Sequence, residues 1–313
     1  MDDIKGWLRD IGYKEFDLSV ASSDASFRKY YRIKNGDKSY IVMDSSLEKK
    51  SLTPFIDITQ RLLSVGVDVP TIYHQDLALG YLLIEDFGDT NLLDKLDSTN
   101  FKELYSMCID EILQMQKGDI DSLPIYDKEF LLFEMNLMQE WYLEKKLSLK
   151  LTNKQTDMLV ETLDSISEVV LSQPQDIFVH RDFHSRNIML TPNSKLGVID
   201  YQDGMSGAIT YDLVSLLKDC YISFDREDII ELALEFYTKA KIDVSEEQFI
   251  RWFDFMGMQR HIKVLGIFSR LHLRDSKDAY LKDIPLTLSY LIESAKLYDE
   301  TKELARFLEE VCL

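Results

Sequence analysis

Short runs that alternate apolar and polar residues fill the first 85 positions of the chain, and stretches with an apolar residue every three or four positions fill most of the rest. Residues 4–12 read as a short helix stopped by Gly12. Strands are expected at 17–21, 27–33 and 39–44, the last two joined by the hairpin signal Asn35-Gly36. A helix follows over 53–64, with Thr53 as its cap and Pro54 in its first turn, and then two strands at 67–75 and 81–85. From Asn100 the period turns helical: Phe101, Leu104, Tyr105, Cys108, Ile112 and Met115 share one face, with Gly118 closing the segment. Phe130, Phe133, Leu137, Trp141 and Tyr142 make a second stripe, read as core packing, with a sugar or choline platform as the alternative. Further helices are expected at about 153–171, 208–221, 227–239, 246–274 and 285–311. The pattern predicts an α+β protein of two lobes, a small, mainly antiparallel β lobe over 1–88 and a larger helical lobe over 89–313. Glu85 to Gly88 is the expected hinge, where glycine can absorb dihedral change.

One stretch of the helical half breaks the pattern. Residues 177–203, IFVHRDFHSRNIMLTPNSKLGVIDYQD, read as strand, polar loop and hairpin, with Pro192, Asn193 and Ser194 favouring the turn. Such a hairpin sets Asn187, at the start of one strand, beside Asp200, at the end of the next. Asp182 precedes Asn187 by five positions and Asp200 follows it by thirteen. This spacing resembles the protein-kinase catalytic loop and metal-binding aspartate. Phosphoryl transfer needs a proton acceptor for the attacking hydroxyl and hard oxygen ligands for Mg2+ on the nucleotide phosphates. Asp182 suits the first role, and Asn187 and Asp200 the second. His184 stands where it would meet the transferring phosphoryl group. Arg186 and Asp203 flank the metal pair as candidate substrate contacts, and Arg186 serves equally well as a brace for the loop.

Length and charge narrow the class. At 313 residues the chain can bury a large core, and its first residues, MDDIKGWLRDIG, carry charges where a secretory signal needs an apolar stretch. No apolar run approaches membrane-span length, so no membrane partner and a cytoplasmic location are expected. A formal charge of −19 argues against a nucleic-acid partner, because such binding rests on clustered Lys and Arg. Three scattered cysteines offer neither a disulfide framework nor metal-ligand spacing.

In the first lobe the order of three strands, a helix and two strands resembles the small lobe of kinases. The loop at 22–26 takes the place of the glycine-rich loop over the nucleotide phosphates, yet it holds no glycine. Ser23, Ser26 and Arg28 are the groups there that would meet phosphate. The strand position that should carry a phosphate-binding lysine holds Met43, so Arg28 or Arg32 is expected to supply the charge. Glu85 and Phe87 mark the linker whose backbone would meet adenine. Late in the chain Trp252 to His261 is apolar nearly all round. Its polar exceptions Gln259, Arg260 and His261 are candidate substrate contacts or members of an internal network. Asp212, in Tyr211-Asp212-Leu213, is expected to brace the catalytic loop.

Taken together, DASFRKYYR, IVMD, VPTIYHQDLALGYLLIEDFG, EWYL, VHRDFHSRNIML, GVIDYQD, ITYDLVSLLKDCY and RWFDFMGMQRHIKVLGIFSRL resemble the aminoglycoside-phosphotransferase-like kinases over nearly the whole chain. Within them the likeness is to the branch acting on the anomeric hydroxyl of N-acetylated amino sugars. The resemblance implies a protein-kinase-like two-lobed fold, ATP and Mg2+ as cofactors, and a small amino sugar as partner. That sugar would be N-acetylmuramate, N-acetylglucosamine or both, in cell-wall sugar recycling. Aminoglycoside or choline kinases use the same scaffold, and a nucleotide-binding pseudokinase would also fit the missing glycines and Met43.

Overall fold

Strands with apolar residues at alternate positions bury one face and leave the other for different use, and the first sheet does both. The structure, a computed structural model, describes residues 1–22, 28–191 and 195–312. Helix α1 (Asp2–Asp10) precedes strands β1 (Asp17–Ser22), β2 (Lys29–Asn35) and β3 (Lys38–Asp44), helix α2 (Leu52–Ser64), and strands β4 (Ile72–Asp76) and β5 (Tyr81–Glu85). Helices α3 (Phe101–Met115), α4 (Lys128–Leu137) and α5 (Asn153–Leu171) follow, with a π-helical turn, Met138–Lys146, after α4. Next come β6 (Ile177–Val179), β7 (Ile188–Leu190), β8 (Leu196–Val198) and β9 (Met205–Gly207). The chain ends with α6 (Tyr211–Leu217), α7 (Arg226–Ala240), α8 (Glu246–Asp275), α9 (Ile284–Ala295) and α10 (Lys302–Cys312). Among the described residues no helix is long and apolar enough to cross a membrane.

Contacts group the chain into two units, Met1–Asp94 with Arg186–Asp203, and Lys95–Ser185 with Gly204–Leu313. In the first, the antiparallel sheet runs β1-β2-β3-β5-β4. Its register aligns Tyr31, Val42 and Leu83 in one row and Arg32, Ile41 and Ile84 in the next. Because neighbouring positions point to opposite faces, the first row packs with Ile4, Trp7 and Leu8 of α1. The second row lines a cavity on the other face. Gly36 takes a φ of +61° in the turn between β2 and β3, as Asn-Gly turns require. The strand expected at 67–75 shortens to β4, since Pro70 lacks the N–H that a ladder needs. Helix α2 begins one residue before Thr53, after a 3₁₀ turn at Lys49–Ser51, and its cap position is Ser51.

The second unit is built around α8, whose residues from Trp252 to Gly266 are buried without a break. Apolar residues on all sides suit a helix surrounded by others. Its charges are paired: Asp254 accepts from Lys218 at 2.7 Å, from both ends of the Arg226 fork at 3.1 and 2.8 Å, and from the Tyr298 hydroxyl at 2.8 Å. That last bond helps to explain why the helix expected over 285–311 is broken into α9 and α10, because Tyr298 turns inward from the link between them. The helix expected over 208–221 contracts to α6, and the residues just beyond it bond to the catalytic loop instead.

At Gly266 α8 comes against Leu137, where α4 gives way to the π turn. A methyl group at this position would lie 2.4 Å from the Leu137 carbonyl carbon. Gly266→Ala is therefore expected to destabilise the protein by about 1–3 kcal/mol or more, as overpacking does. Thermal unfolding measures it, and an unchanged melting temperature would count against this packing.

Candidate active site

The second unit holds the candidate catalytic loop. Strand β6 pairs with β9, Phe178 opposite Ser206, and delivers the chain to His180, which is fully buried. The backbone N–H groups of His180 and Arg181 donate to the two carboxylate oxygens of Asp212, at 2.7 and 3.0 Å. This bidentate brace holds Arg181 at a φ of +77°, a conformation rare outside glycine, and so turns the next residue, Asp182, out of line. The bracing role expected of Asp212 is what these bonds perform. Burial pushes the Asp212 carboxyl up, against the pull of His180 and the two N–H groups.

Cations surround Asp182. Arg260 donates to the Arg181 carbonyl at 2.7 Å and stands 3.7 Å from the Asp182 carboxylate. Arg181 and Lys263 meet on Glu134 at 2.7 and 3.0 Å, and Tyr126 donates to the same carboxylate. Burial alone would raise the Asp182 carboxyl, but Lys263, Arg260, His184 and Arg181 outweigh it and hold the group well below the usual carboxylate range. Its side chain is nevertheless 43% exposed, so water screens part of that field. His184 donates its backbone N–H to the Asp182 carbonyl at 3.0 Å and sets its ring edge-on to Tyr221. Burial pushes the imidazole down, against the carboxylates of Asp219 and Asp182, which leaves it neutral at neutral pH.

A second aspartate fixes the far end of the loop. Asp219 accepts from the Ser185 N–H at 3.0 Å, from the Ser185 hydroxyl, and from the Tyr221 N–H at 3.0 Å. Sequence reading missed it, although Asp212 and Asp219 stand seven positions apart, the spacing of two helical turns. It also missed Glu134 and Lys263, which lie on helices far along the chain from the loop they support.

Two of the expected substrate contacts are placed inside the helical core. Gln259 is fully buried and donates to Tyr126 at 3.1 Å and Glu134 at 3.4 Å. His261 sits with its Nε2 3.0 Å from the Lys218 carbonyl and its ring stacked on Tyr290, and burial pushes it down to about 3. In this arrangement both belong to an internal network, the other reading open to them. Arg260, between them in sequence, is the one that reaches the loop.

The first unit holds the metal-ligand candidates. Strands β7 and β8 pair as an antiparallel hairpin, and the Ile199 N–H donates to the Asn187 carbonyl at 3.1 Å. The Asn187 amide then lies 3.4 Å from one oxygen of Asp200, and the Gln202 amide donates to the other at 2.9 Å. Asp200 has a φ of +64°, and the next side chain, Tyr201, is buried with its hydroxyl 2.8 Å from Thr59 and its ring stacked on Phe55. The Asn187 side chain also carries an amide oxygen, and with the Asp200 carboxylate it is a hard donor of the kind that suits Mg2+, which takes few protein ligands and keeps waters and phosphates for the rest. Among the described residues there is no cluster of three or more His, Cys, Asp or Glu side chains placed to hold a metal alone. Arg186 opens this segment of the unit, and Asp203 closes it, 3.4 Å from the Gln202 amide.

Asn187 and Asp200 line a cavity of about 280 Å³ whose apolar walls include Ile41, Ile84, Met189 and Ile199. Its edge is the linker from Glu85 to Asp89. Flat apolar walls beside backbone and two oxygen donors suit an aromatic base that carries phosphates. Arg28 is buried and directs its guanidinium to Ser51 at 3.4 Å, and Met43 is fully buried. Ser23 and Ser26 lie outside the described residues, as does the turn at 192–194.

With this geometry in place, comparison gives the context. Residues 17–246 match the model of the phosphotransferase enzyme family APH. The chain is 39% identical to the N-acetylmuramate/N-acetylglucosamine kinase of Neisseria meningitidis serogroup B, over 98% of this chain and 95% of that one. It is 38% identical to the protein of the same name from Pseudomonas aeruginosa, over 93% and 88%. Among solved structures it resembles the choline kinase LicA of Streptococcus pneumoniae, with a TM-score of 0.66 at 15% identity, covering 93% of this chain and 98% of the other.

The double brace makes a testable demand. Asp212→Asn presents an amide N–H2 to a backbone N–H, leaving one buried donor unsatisfied at a cost of about 1–3 kcal/mol. Amide exchange at His180 and Arg181 should accelerate while that of α10 is little affected. Unchanged protection at both loop amides would contradict the brace.

Proposed function

Because the chain belongs to the phosphotransferase enzyme family, whose kinases take ATP as donor, we propose that it phosphorylates the anomeric hydroxyl of N-acetylmuramate, N-acetylglucosamine or both. On this reading it is a cytoplasmic enzyme of cell-wall sugar recycling. The observation that carries it is the Asn187–Asp200 pair on an apolar cavity, in a chain whose relatives at 39% and 38% identity bear that name. Residues 1–88 form the nucleotide lobe, with 85–88 as the linker that meets adenine, and 89–313 the lobe that carries Asp182 and receives the sugar.

Each residue then has a task. Asp182 orients the anomeric hydroxyl and accepts its proton as the oxygen attacks the γ-phosphorus. A carboxylate held so far down is a weak base, which suits an acceptor that takes the proton late. The anomeric hydroxyl helps, because the ring oxygen makes it more acidic than an ordinary alcohol. Neutral His184 can donate a hydrogen bond to the moving phosphoryl group without adding charge. Arg260 fixes Asp182 from behind, and Arg186 and Asp203 are the substrate contacts this reading retains. Asn187 and Asp200 would hold Mg2+, which when bound offsets the charge of the nucleotide phosphates.

Asp182→Ala and Asp200→Ala are each expected to lower kcat by two or more orders of magnitude, with the second also shifting the Mg2+ dependence. The decisive assay incubates the protein with ATP, Mg2+ and each N-acetylated sugar, with aminoglycosides and choline as rivals, and places the phosphate by carbon–phosphorus coupling in NMR. Phosphate on any atom but the anomeric oxygen, or no transfer at all, would overturn the reading.

The pH profile provides a further check. Asp182 and His184 are both shifted down, so neither gains a proton until the pH falls below the ordinary imidazole range. Activity should stay level from about pH 8 to about pH 6.5 and fall only at lower pH. An acid limb centred near pH 7 that disappears in His184→Gln would contradict the neutral imidazole.

A further inference from the structure

Arg32, expected to meet the nucleotide phosphates from the second strand, has its whole guanidinium engaged elsewhere. Nε and Nη2 donate to the two oxygens of Asp86 at 2.6 and 2.9 Å. Nη1 donates to both oxygens of Asp89 at 2.7 and 2.9 Å, and Nη2 also reaches the Gly88 carbonyl at 3.2 Å. Asp86 further accepts from the Ser39 hydroxyl and, at 3.0 Å, from the Gly88 N–H. Burial would raise the Asp86 carboxyl, and these bonds overcome it and hold the group down. One side chain on β2 therefore grips three residues of the linker, Asp86, Gly88 and Asp89, at the edge of the cavity.

The linker is seated on its other side as well. The ring of Phe87 lies over Gly197 of β8, so close that a methyl group there would stand 2.5 Å from it. The Glu85 N–H donates to the Thr71 carbonyl at 2.9 Å and the Gly88 N–H to Asp86. Phe87, between them, lines the cavity. The sheet register puts Arg32 in the same row as Ile41 and Ile84, which form the cavity floor. Floor and edge are thus set by one row of side chains.

We propose that Arg32 is a positioning residue for nucleotide recognition: through Asp86, Asp89 and the Gly88 carbonyl it fixes the linker backbone against which the base docks, and it does not bind phosphate. This rests on the nucleotide reading of the cavity. The clamp needs a planar fork with donors on three nitrogens. A lysine ammonium brings the same charge as a single point and cannot span two carboxylates and a carbonyl. Preorganised backbone raises affinity for the base itself, so the effect must appear with ligands that carry no phosphate.

The test compares adenosine and ADP binding by calorimetry, with the KM for ATP and kcat, in the wild type, Arg32→Lys and Ser39→Ala. Ser39 lies outside the cavity lining and touches the clamp only through Asp86. In Arg32→Lys, adenosine and ADP affinity should fall together, by on the order of tenfold, with a matching rise in KM and a much smaller change in kcat. Ser39→Ala should show the same parallel loss at smaller size, which keeps the test open should the lysine variant fold poorly. If Arg32→Lys weakens ADP and spares adenosine, the residue binds phosphate and the clamp is overturned. Retained affinity for both in each variant overturns it too. A wild-type protein that binds neither ligand would remove the nucleotide reading itself, a different outcome.

Discussion

A buried carboxylate with two backbone N–H groups on it, Asp212 under His180 and Arg181, is the constraint on which the candidate catalytic loop depends. The loop must leave β6 and at once reverse direction, which forces Arg181 into a region that side chains disfavour. A single hydrogen bond would not hold that turn, and a neutral acceptor could take only one of the two donors with full strength. An ionised acceptor in low dielectric serves both, provided it is itself out of water. Asp219 repeats the arrangement at Ser185, so the loop from 180 to 185 is fastened at each end by an aspartate at or just beyond helix α6. Asp182 and His184 lie between the two fastenings.

The same logic explains the density of charge around Asp182. Arg181, Arg260 and Lys263 would each be costly to bury alone. Glu134 accepts from two of them, and Arg260 is satisfied by a backbone carbonyl as well as by proximity to Asp182. The result is a carboxylate that stays ionised, with Arg260 3.7 Å away.

Much of this was legible in the chain. The alternation of the first strands, the Asn-Gly turn, and the spacing of Asp182, Asn187 and Asp200 follow from local rules of period and turn chemistry, and the elements appear where those rules put them. The long helix α8 and α5 were likewise clear, because an unbroken apolar period over many residues leaves little choice. What was not legible depended on partners distant in sequence. Tyr298 breaks a helix because Asp254, over forty positions away, accepts its hydroxyl. Gln259 and His261, as polar exceptions on an apolar helix, read equally as ligand contacts or as an internal network, and only their buried partners make the network visible. Arg32 looks like a spare cation on a strand until Asp86 and Asp89 are seen to hold it.

These misses have one physical root. A charged or polar residue in a mostly apolar element has two ways to be tolerated, a ligand or an internal partner, and sequence spacing does not distinguish them. Geometry does, through the number of bonds the group already makes. Arg32 makes five, on every nitrogen of its fork, and so has no donor directed at the phosphates. The Asp200 carboxylate accepts from the neutral Gln202 amide at 2.9 Å and lies 3.4 Å from that of Asn187. By that criterion Arg32 belongs to the scaffold at the edge of the cavity.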